Sequence, residues 1–428
     1  MWDGQRTGAR AYRFYTLDVF CDRPFGGNPL AIVPEATGLT TEEMQRITRE
    51  FNLSETVFVL PPETAEGTCR VRIFTPGQEI PFAGHPTVGT AFLLAALGQG
   101  RTAPIAGGQG TIAGSTPAAI ASPTGPIAED PTANEITLVL EEGIGPVPVV
   151  VQRLGDRPVS SQLVVTQQPD RWTVDLTAAE LAQILGLEPQ DIGWTGAAPA
   201  ESPDPDLTHP NTPHPESLGL KSPDPKSPDP KSPKSPDPKS PDPKSPKSPD
   251  PKSPNPKSPP WEPEAFSCGL PYCFVPVATR SALGRIQLQI DRWQTLLAPT
   301  PYPHLYCFCP EPEHPAAQFR ARMFAPALGI GEDAATGSAV TAFAGYLSAR
   351  SPVHNAETGA AEVTEAKATE AEVTEAKATE TLRWGIEQGV EMGRPSFLSL
   401  EIDRVAGSIV AIRVGGRSVP ISEGTIYL

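Results

Sequence analysis

Lysine is missing from most of this 428-residue chain. All eleven lysines fall in two low-complexity tracts, nine between Lys221 and Lys257 and the others at Lys367 and Lys377; elsewhere the basic side chain is arginine. That distribution leaves no lysine for a pyridoxal Schiff base, and no G-x-x-x-x-G-K-[ST] phosphate loop occurs. No apolar run reaches the roughly 18 residues of a membrane span. The stretch from Met1 to Phe20 lacks the apolar core of a secretory signal, so a cytoplasmic protein is expected. Positive charge is also short. The formal net charge is -16, a balance that repels nucleic-acid phosphates and anionic membranes. The six cysteines form no C-x-x-C pair. Cys307 and Cys309 alternate onto one face of an apolar strand, and with His304 and His314 only loosely placed they read as buried reduced thiols and not as a zinc site.

What is present divides into a patterned body and three unpatterned tracts. Residues 100–134 are rich in Gly, Ala, Pro and Thr and read as a flexible insertion. Residues 199–260 are built from KSPDP and KSP units, which predicts an extended, polyproline-like arm. Residues 361–380 carry AEVTEAKATE twice, a charged insertion able to form a surface helix or none. Strand alternation marks Arg13–Phe20, Leu30–Val33, Thr56–Leu60, Cys69–Phe74, Glu135–Leu140, Cys273–Val277, Leu305–Phe308, Phe397–Ile402 and Ile409–Val414. Helical periodicity marks Thr41–Phe51, Thr87–Leu97, Thr177–Leu185 and Ser338–Leu347, and Thr40 and Thr177 open capping boxes. The mixture is α+β with antiparallel strands dominating.

The body contains an echo of itself. Arg72-Ile73-Phe74-Thr75-Pro76 is answered by Arg322-Met323-Phe324-Ala325-Pro326, and Thr90-Ala91-Phe92 by Thr341-Ala342-Phe343. Each copy reads strand, Gly-rich turn, apolar helix. Unless the likeness is chance, the chain consists of two similar halves, each presenting a helix N-terminus to a shared cleft. Two such tips would cradle a carboxylate, with Gly84, Gly331 and Gly337 allowing close backbone approach.

Glu55 lies between a helix and an apolar strand, where partial drying would raise its pKa towards that of a proton shuttle; the alternative is a helix-end cap or an arginine partner. His85, between Gly84 and Pro86, could donate to a substrate oxygen or simply hold a structural hydrogen bond. Asp333 and Ser338 flank a Gly-rich helix start, where capping is their ordinary work. Ser338 lacks the G-x-S-x-G frame of a hydrolase nucleophile.

The strings DVFCDRPFGGNPLAIV, NLSETVFVLP, RIFTPGQEIPFAGHPTVGTAFLL, GEDAATGSAV and QGVEMGRPS together resemble the PhzF-like phenazine-biosynthesis isomerase family. The resemblance implies a diaminopimelate-epimerase-like fold: two pseudo-symmetric lobes, each a mostly antiparallel sheet wrapped on a central helix, with the site between them. It divides the chain into an N-terminal lobe, 1–150, completed by a strand near 418–428, and a C-terminal lobe, 151–417. It implies a homodimer without cofactor or metal. It places the general acid/base on Glu55 and substrate contacts on Gly84, His85, Asp333, Gly337 and Ser338. Neither turn holds the cysteine that related epimerases use. The expected activity is a proton shift at a carbon of a small carboxylate; a one-base amino-acid epimerase and a catalytically idle binding protein are the alternatives.

Overall fold

The computed structural model describes residues 10–99, 133–194, 261–351 and 379–428. The three tracts lie outside these residues except at their edges. In chain order the first part contains β1 (Ala11–Val19), β2 (Asn28–Val33), α1 (Thr41–Phe51), β3 (Glu55–Leu60), β4 (Cys69–Phe74), β5 (Glu79–Ile80), α2 (Gly84–Ala96), β6 (Ala133–Glu142), β7 (Gly145–Leu154) and β8 (Arg157–Val165). Then follow β9 (Asp170–Thr173), α3 (Ala178–Leu185), β10 (Glu264–Ser267), β11 (Pro271–Pro276), α4 (Arg280–Arg285), α5 (Ile290–Leu296), β12 (His304–Cys309), β13 (Phe319–Ala325), β14 (Ile330–Asp333), α6 (Gly337–Ser348), β15 (Thr379–Gln388), β16 (Ser396–Val405) and β17 (Ser408–Tyr427).

Local chemistry sets the helix ends. The Thr40 side chain accepts from Glu43 N while the Glu43 carboxylate accepts from Thr40 N, and Thr177 and Glu180 repeat the arrangement, so both capping boxes form. Asn52, in the left-handed region at φ 51°, ends α1 one turn before the site. The two central helices begin at Gly84 and Gly337, earlier than the Thr87 and Ser338 starts expected from periodicity. Pro86 is compatible with that start because its missing N–H falls in the first turn, where no intrahelical partner exists.

The sheet pairings occur in one order twice. β1 pairs antiparallel with β2, β2 parallel with β3, β3 antiparallel with β4, and β4 antiparallel with β5 and parallel with β6; β7 and β8 continue antiparallel. β10 to β17 follow the same sequence: β10–β11 antiparallel, β11–β12 parallel, β12–β13 and β13–β14 antiparallel, β13–β15 parallel, β15–β16 and β16–β17 antiparallel. The long β17 stitches the sets together, its Ile412–Arg417 part lying on β8 and its Ser418–Tyr427 part on β1, while β9 pairs with β10. Most pairs are antiparallel, as the mixture of strand and helix patterns suggested.

Side-chain contacts repeat with the pairings. Arg72 grips Glu79 with two hydrogen bonds of 2.7 and 2.6 Å, and Arg322 grips Glu332 with two of 2.7 and 2.8 Å. Glu141 accepts the backbone N–H groups of Glu63 and Thr64, and Glu387 those of Glu313 and His314. In the core, every residue of α2 from Gly84 to Ala95 is buried, as an all-round apolar helix requires. Around α6, Phe343 stacks on Phe274 at 5.4 Å and meets Phe308 edge-on at 4.7 Å.

Several sequence boundaries need correction. Asn134, assigned to the first insertion, pairs with Arg153 inside β6–β7. Thr379 and Glu380, assigned to the charged repeat, begin β15 opposite Val405 and Arg404, because their run into Leu382 and Trp384 continues a strand alternation. β7 runs unbroken through residue 150. The six cysteines are free, five of them buried, and Cys307 and Cys309 share one apolar cluster beside α4 and α5. No helix among the described residues is long and apolar enough to cross a membrane. The chain on either side of the KSPDP tract is brought together: Trp194 and Trp261 stack at 4.5 Å and form a backbone bridge.

Candidate active site

The site forms where the first turns of α2 and α6 touch. A Cβ built on Gly84 would lie 2.7 Å from Gly337 Cα and 2.8 Å from Ser338 N; one built on Gly337 would lie 3.1 Å from Gly84 Cα. Only glycine permits this approach of two backbones. Neither helix has a side-chain cap at its N-terminus, so neither tip draws on a local oxygen to satisfy its free N–H groups.

Glu55 is the first residue of β3, on the strand that pairs in parallel with β2 through Leu30. It is buried; Asn52 ends α1, and no arginine among the described residues pairs with Glu55. Its Oε2 lies 3.3 Å from His85 Nε2, off hydrogen-bond alignment, so both atoms are buried without a hydrogen-bond partner. Such atoms are uncommon in folded proteins and point to a site awaiting a ligand or a proton. Loss of water drives the Glu55 pKa well above the usual carboxylate range, and the charge of Asp333 adds to the rise. Burial pushes His85 down to about 3, so its imidazole is neutral at physiological pH.

Asp333 ends β14 and does not cap α6. Thr336 Oγ1 donates to its Oδ2 at 2.6 Å, and Asn28 Nδ2 donates to its Oδ1 at 2.7 Å. Burial raises its pKa to about 6, partly opposed by these two donors. Ser338, in the first turn of α6, shares a 2.8 Å hydrogen bond with the Tyr272 hydroxyl. The structure therefore brings Glu55, Gly84, His85, Asp333, Gly337 and Ser338 into one neighbourhood.

Three participants carried no sequence signal of their own. Asn28, at the start of β2, is fully buried; its amide nitrogen reaches His85 Nδ1 at 3.2 Å, Asp333 Oδ1, and Ala335 O at 2.9 Å. Gln388, also fully buried, ends β15. It donates to Asp333 O and Thr336 Oγ1 and accepts from Thr336 N, which fixes the turn before α6. The third is Tyr272. Asn28 and Gln388 stand inside strings already noted, G-G-N-P and Q-G-V-E-M-G, but both read locally as turn-edge amides.

A family model described as phenazine biosynthesis-like protein, PhzC-PhzF, matches residues 17–126 and 234–424. The chain belongs to this phenazine biosynthesis-like family. It is similar to an uncharacterized isomerase of Mesorhizobium japonicum, 31% identical over 425 residues that span 98% of this chain and 99% of the relative. It is also similar to a trans-2,3-dihydro-3-hydroxyanthranilate isomerase of Pseudomonas aeruginosa, 27% identical over 418 residues, covering 97% and 100%. Among solved structures, a PhzF-family protein of Bacillus anthracis superposes with a TM-score of 0.63 at 20% identity, covering 98% of this chain and all of that one. This member of the family is an isomerase of the PhzF type, acting on a small molecule, and its sheet-rich architecture with few helices is the family's.

Proposed function

We propose that the chain moves a proton between carbons of a small carboxylate, with Glu55 as the single acid/base, in a cleft between two pseudo-symmetric lobes of diaminopimelate-epimerase-like fold. The repeated pairing order supports the lobes, the first of them taken through β8 and completed by the Ser418–Tyr427 part of β17. The observation that carries the mechanism is a buried Glu55 carboxyl, its Oε2 without a hydrogen-bond partner, beside two uncapped helix tips in backbone contact. The carboxyl rests as the neutral acid; it releases that proton to solvent as a cationic or polarised substrate binds, and the ionised carboxylate, stabilised by the substrate's charge, is the base. It removes a proton from the activated carbon and returns it to another carbon on the same face. Negative charge developing on the substrate is held by N–H groups of the Gly84 and Gly337 turns, where one such donor is worth about 3 kcal/mol in the transition state. His85 and Asp333 orient the substrate, and Ser338 offers a hydroxyl already aligned by Tyr272.

The substrate named for the Pseudomonas aeruginosa relative, trans-2,3-dihydro-3-hydroxyanthranilate, is a small cyclic carboxylate of the proposed class and serves as the first probe. Turnover of that probe, or of a related cyclic amino acid, in deuterated buffer should place deuterium at carbon, and Glu55→Gln should lose turnover by about 10²- to 10⁴-fold while folding normally. Near-normal turnover in Glu55→Gln would refute the assignment. A homodimer is part of the same proposal and is checked by sedimentation.

A further inference from the structure

Asn28 lies between the two halves of the site, and its geometry has a chemical consequence for His85. Its backbone is held firmly. Asn28 pairs with Val19 in the β1–β2 ladder. The preceding residues are clamped by Arg394, which donates to Gly26 O at 2.7 Å and Gly27 O at 2.8 Å, and by the Gly27 N–H on Pro395 O.

Its side-chain orientation follows from its neighbours. Ala335 O is a carbonyl and can only accept, and it lies 2.9 Å from the Asn28 amide nitrogen. Asp333 Oδ1, at 2.7 Å, accepts whenever that carboxyl is ionised. Turning the amide over would set its oxygen against both, so the NH₂ group faces them. That NH₂ group has two protons, which the two nearer oxygens take, and His85 Nδ1 lies 3.2 Å from the same nitrogen. An amide nitrogen cannot accept, so a proton on Nδ1 would point at a group with no lone pair for it, and Nδ1 is left as the unprotonated ring nitrogen.

We infer that Asn28 is a positioning residue that fixes the tautomer of His85, keeping Nδ1 unprotonated and the ring proton on Nε2, the nitrogen 3.3 Å from Glu55 Oε2. The imidazole then serves as a hydrogen-bond donor to Glu55 when that side chain ionises, and Asn28 reads the state of Asp333 and the position of the α6 turn at the same time. Movement of either half that withdrew Asp333 or Ala335 would free the amide to rotate and release the tautomer.

The inference rests on the isomerase reading only for the part played by Glu55, and its test needs no substrate. The full chain, labelled with ¹⁵N-histidine, is examined by long-range proton–nitrogen correlation near neutral pH, with His85→Gln used to assign the His85 signals. In the wild type, the Nε2–H form should exceed the other by at least about tenfold, which corresponds to about 1.4 kcal/mol. In Asn28→Asp the new carboxylate accepts from Nδ1, so the proton should move to Nδ1 or both nitrogens should be protonated. Asn28→Ala removes the donor without adding charge, should bring the two tautomers within a few-fold of each other, and is the arm to read if the Asp variant does not fold. A wild-type His85 protonated on Nδ1 overturns the inference outright. So does an unchanged Nε2–H preference in the folded variants. An Nε2–H tautomer together with a fully active Glu55→Gln would instead sink the isomerase mechanism and leave the tautomer assignment standing.

Discussion

Replacing Gly84 by alanine should open the seam where the two helices meet, and replacing Gly337 should do so less. The Gly84 Cβ would press on Gly337 Cα at 2.7 Å and on Gly337 C and Ser338 N at 2.8 Å, all backbone atoms that cannot rotate away. Ordinary contact needs about 3.4 Å or more, so α6 must retreat by roughly 0.7 Å or α2 must tilt. Overpacking of this kind costs about 1–3 kcal/mol. The Gly337 Cβ meets Gly84 Cα at 3.1 Å and C at 3.2 Å, a conflict relieved by a few tenths of an ångström, and its cost should stay at or below about 1 kcal/mol. The site amplifies the difference, because a misplacement near 1 Å in a preorganised cradle can cost about 10²-fold in rate. Gly284, in α4 with nothing within 4 Å of a built Cβ, is the control; Gly284→Ala should be neutral or stabilising by up to about 1 kcal/mol. Thermal unfolding and deuterium incorporation into the probe carboxylate measure the two effects. If Gly84→Ala unfolds no earlier than Gly337→Ala and keeps full activity, the helix tips do not form the cradle.

The buried groups predict opposite pH behaviour. His85 is protonated near 6.5 in the unfolded chain but only near 3 in the folded one, so its stabilising contribution is complete above 6.5 and is lost as pH falls from there towards 3, at up to about 1.4 kcal/mol per pH unit; His85→Gln should flatten that limb of an acid-denaturation curve. Glu142 is buried with its folded pKa raised to about 8 against an ordinary 4.5, so its contribution is present below 4.5 and lost as pH rises towards 8. Glu142→Gln should therefore gain stability over the wild type by on the order of 2 kcal/mol between about pH 5 and about pH 8, measured by urea denaturation; an unchanged difference across that range would refute the neutral acid. Because Trp194 and Trp261 already meet, excising residues 197–258 and rejoining them with a short Gly/Ser linker should leave the melting temperature and the proton exchange of the probe essentially unchanged.

The sequence carried the fold where local chemistry was sufficient. The capping boxes at Thr40 and Thr177 and the alternation in Cys69–Phe74 needed no tertiary help. β7 went unread because Pro146 and Pro148 interrupt it. Those prolines are tolerated because β8 pairs only with Val149–Leu154, so one side of the proline stretch has no ladder to break. α4 and α5, of six and seven residues, are too short for helical periodicity to register. In the site, Glu55, His85, Asp333 and Ser338 were visible through their motifs. Asn28 and Gln388 were not, because their partners lie across the chain: Asn28 finds Asp333 and Gln388 finds Thr336 only after folding.

Comparison of the two sets of strands separates scaffold from chemistry. The contacts that recur, Arg72 on Glu79 and Arg322 on Glu332, Glu141 and Glu387 under paired backbone N–H groups, all brace turns and strand ends. Where the copies diverge, the side chains become reactive or tunable. Gln388 follows Glu387 and secures its turn with a neutral amide; at the matching place after Glu141 stands Glu142, whose Oε1 lies 2.6 Å from Thr87 Oγ1. Thr87 Oγ1 is also 2.7 Å from Ala83 O, and its single proton cannot serve both, so a protonated Glu142 supplies the second one and imitates the amide of its counterpart. Gly84 is followed by the imidazole of His85 and Gly337 by the hydroxyl of Ser338. One tip thus carries a group able to face a buried carboxyl, and the other a group able only to share a hydroxyl proton with Tyr272. A symmetric cradle would bind a carboxylate equally from either half. On the proposed mechanism, the departure from symmetry at these positions gives the cleft a direction, with proton transfer on the Glu55 side and orientation of the substrate on the other.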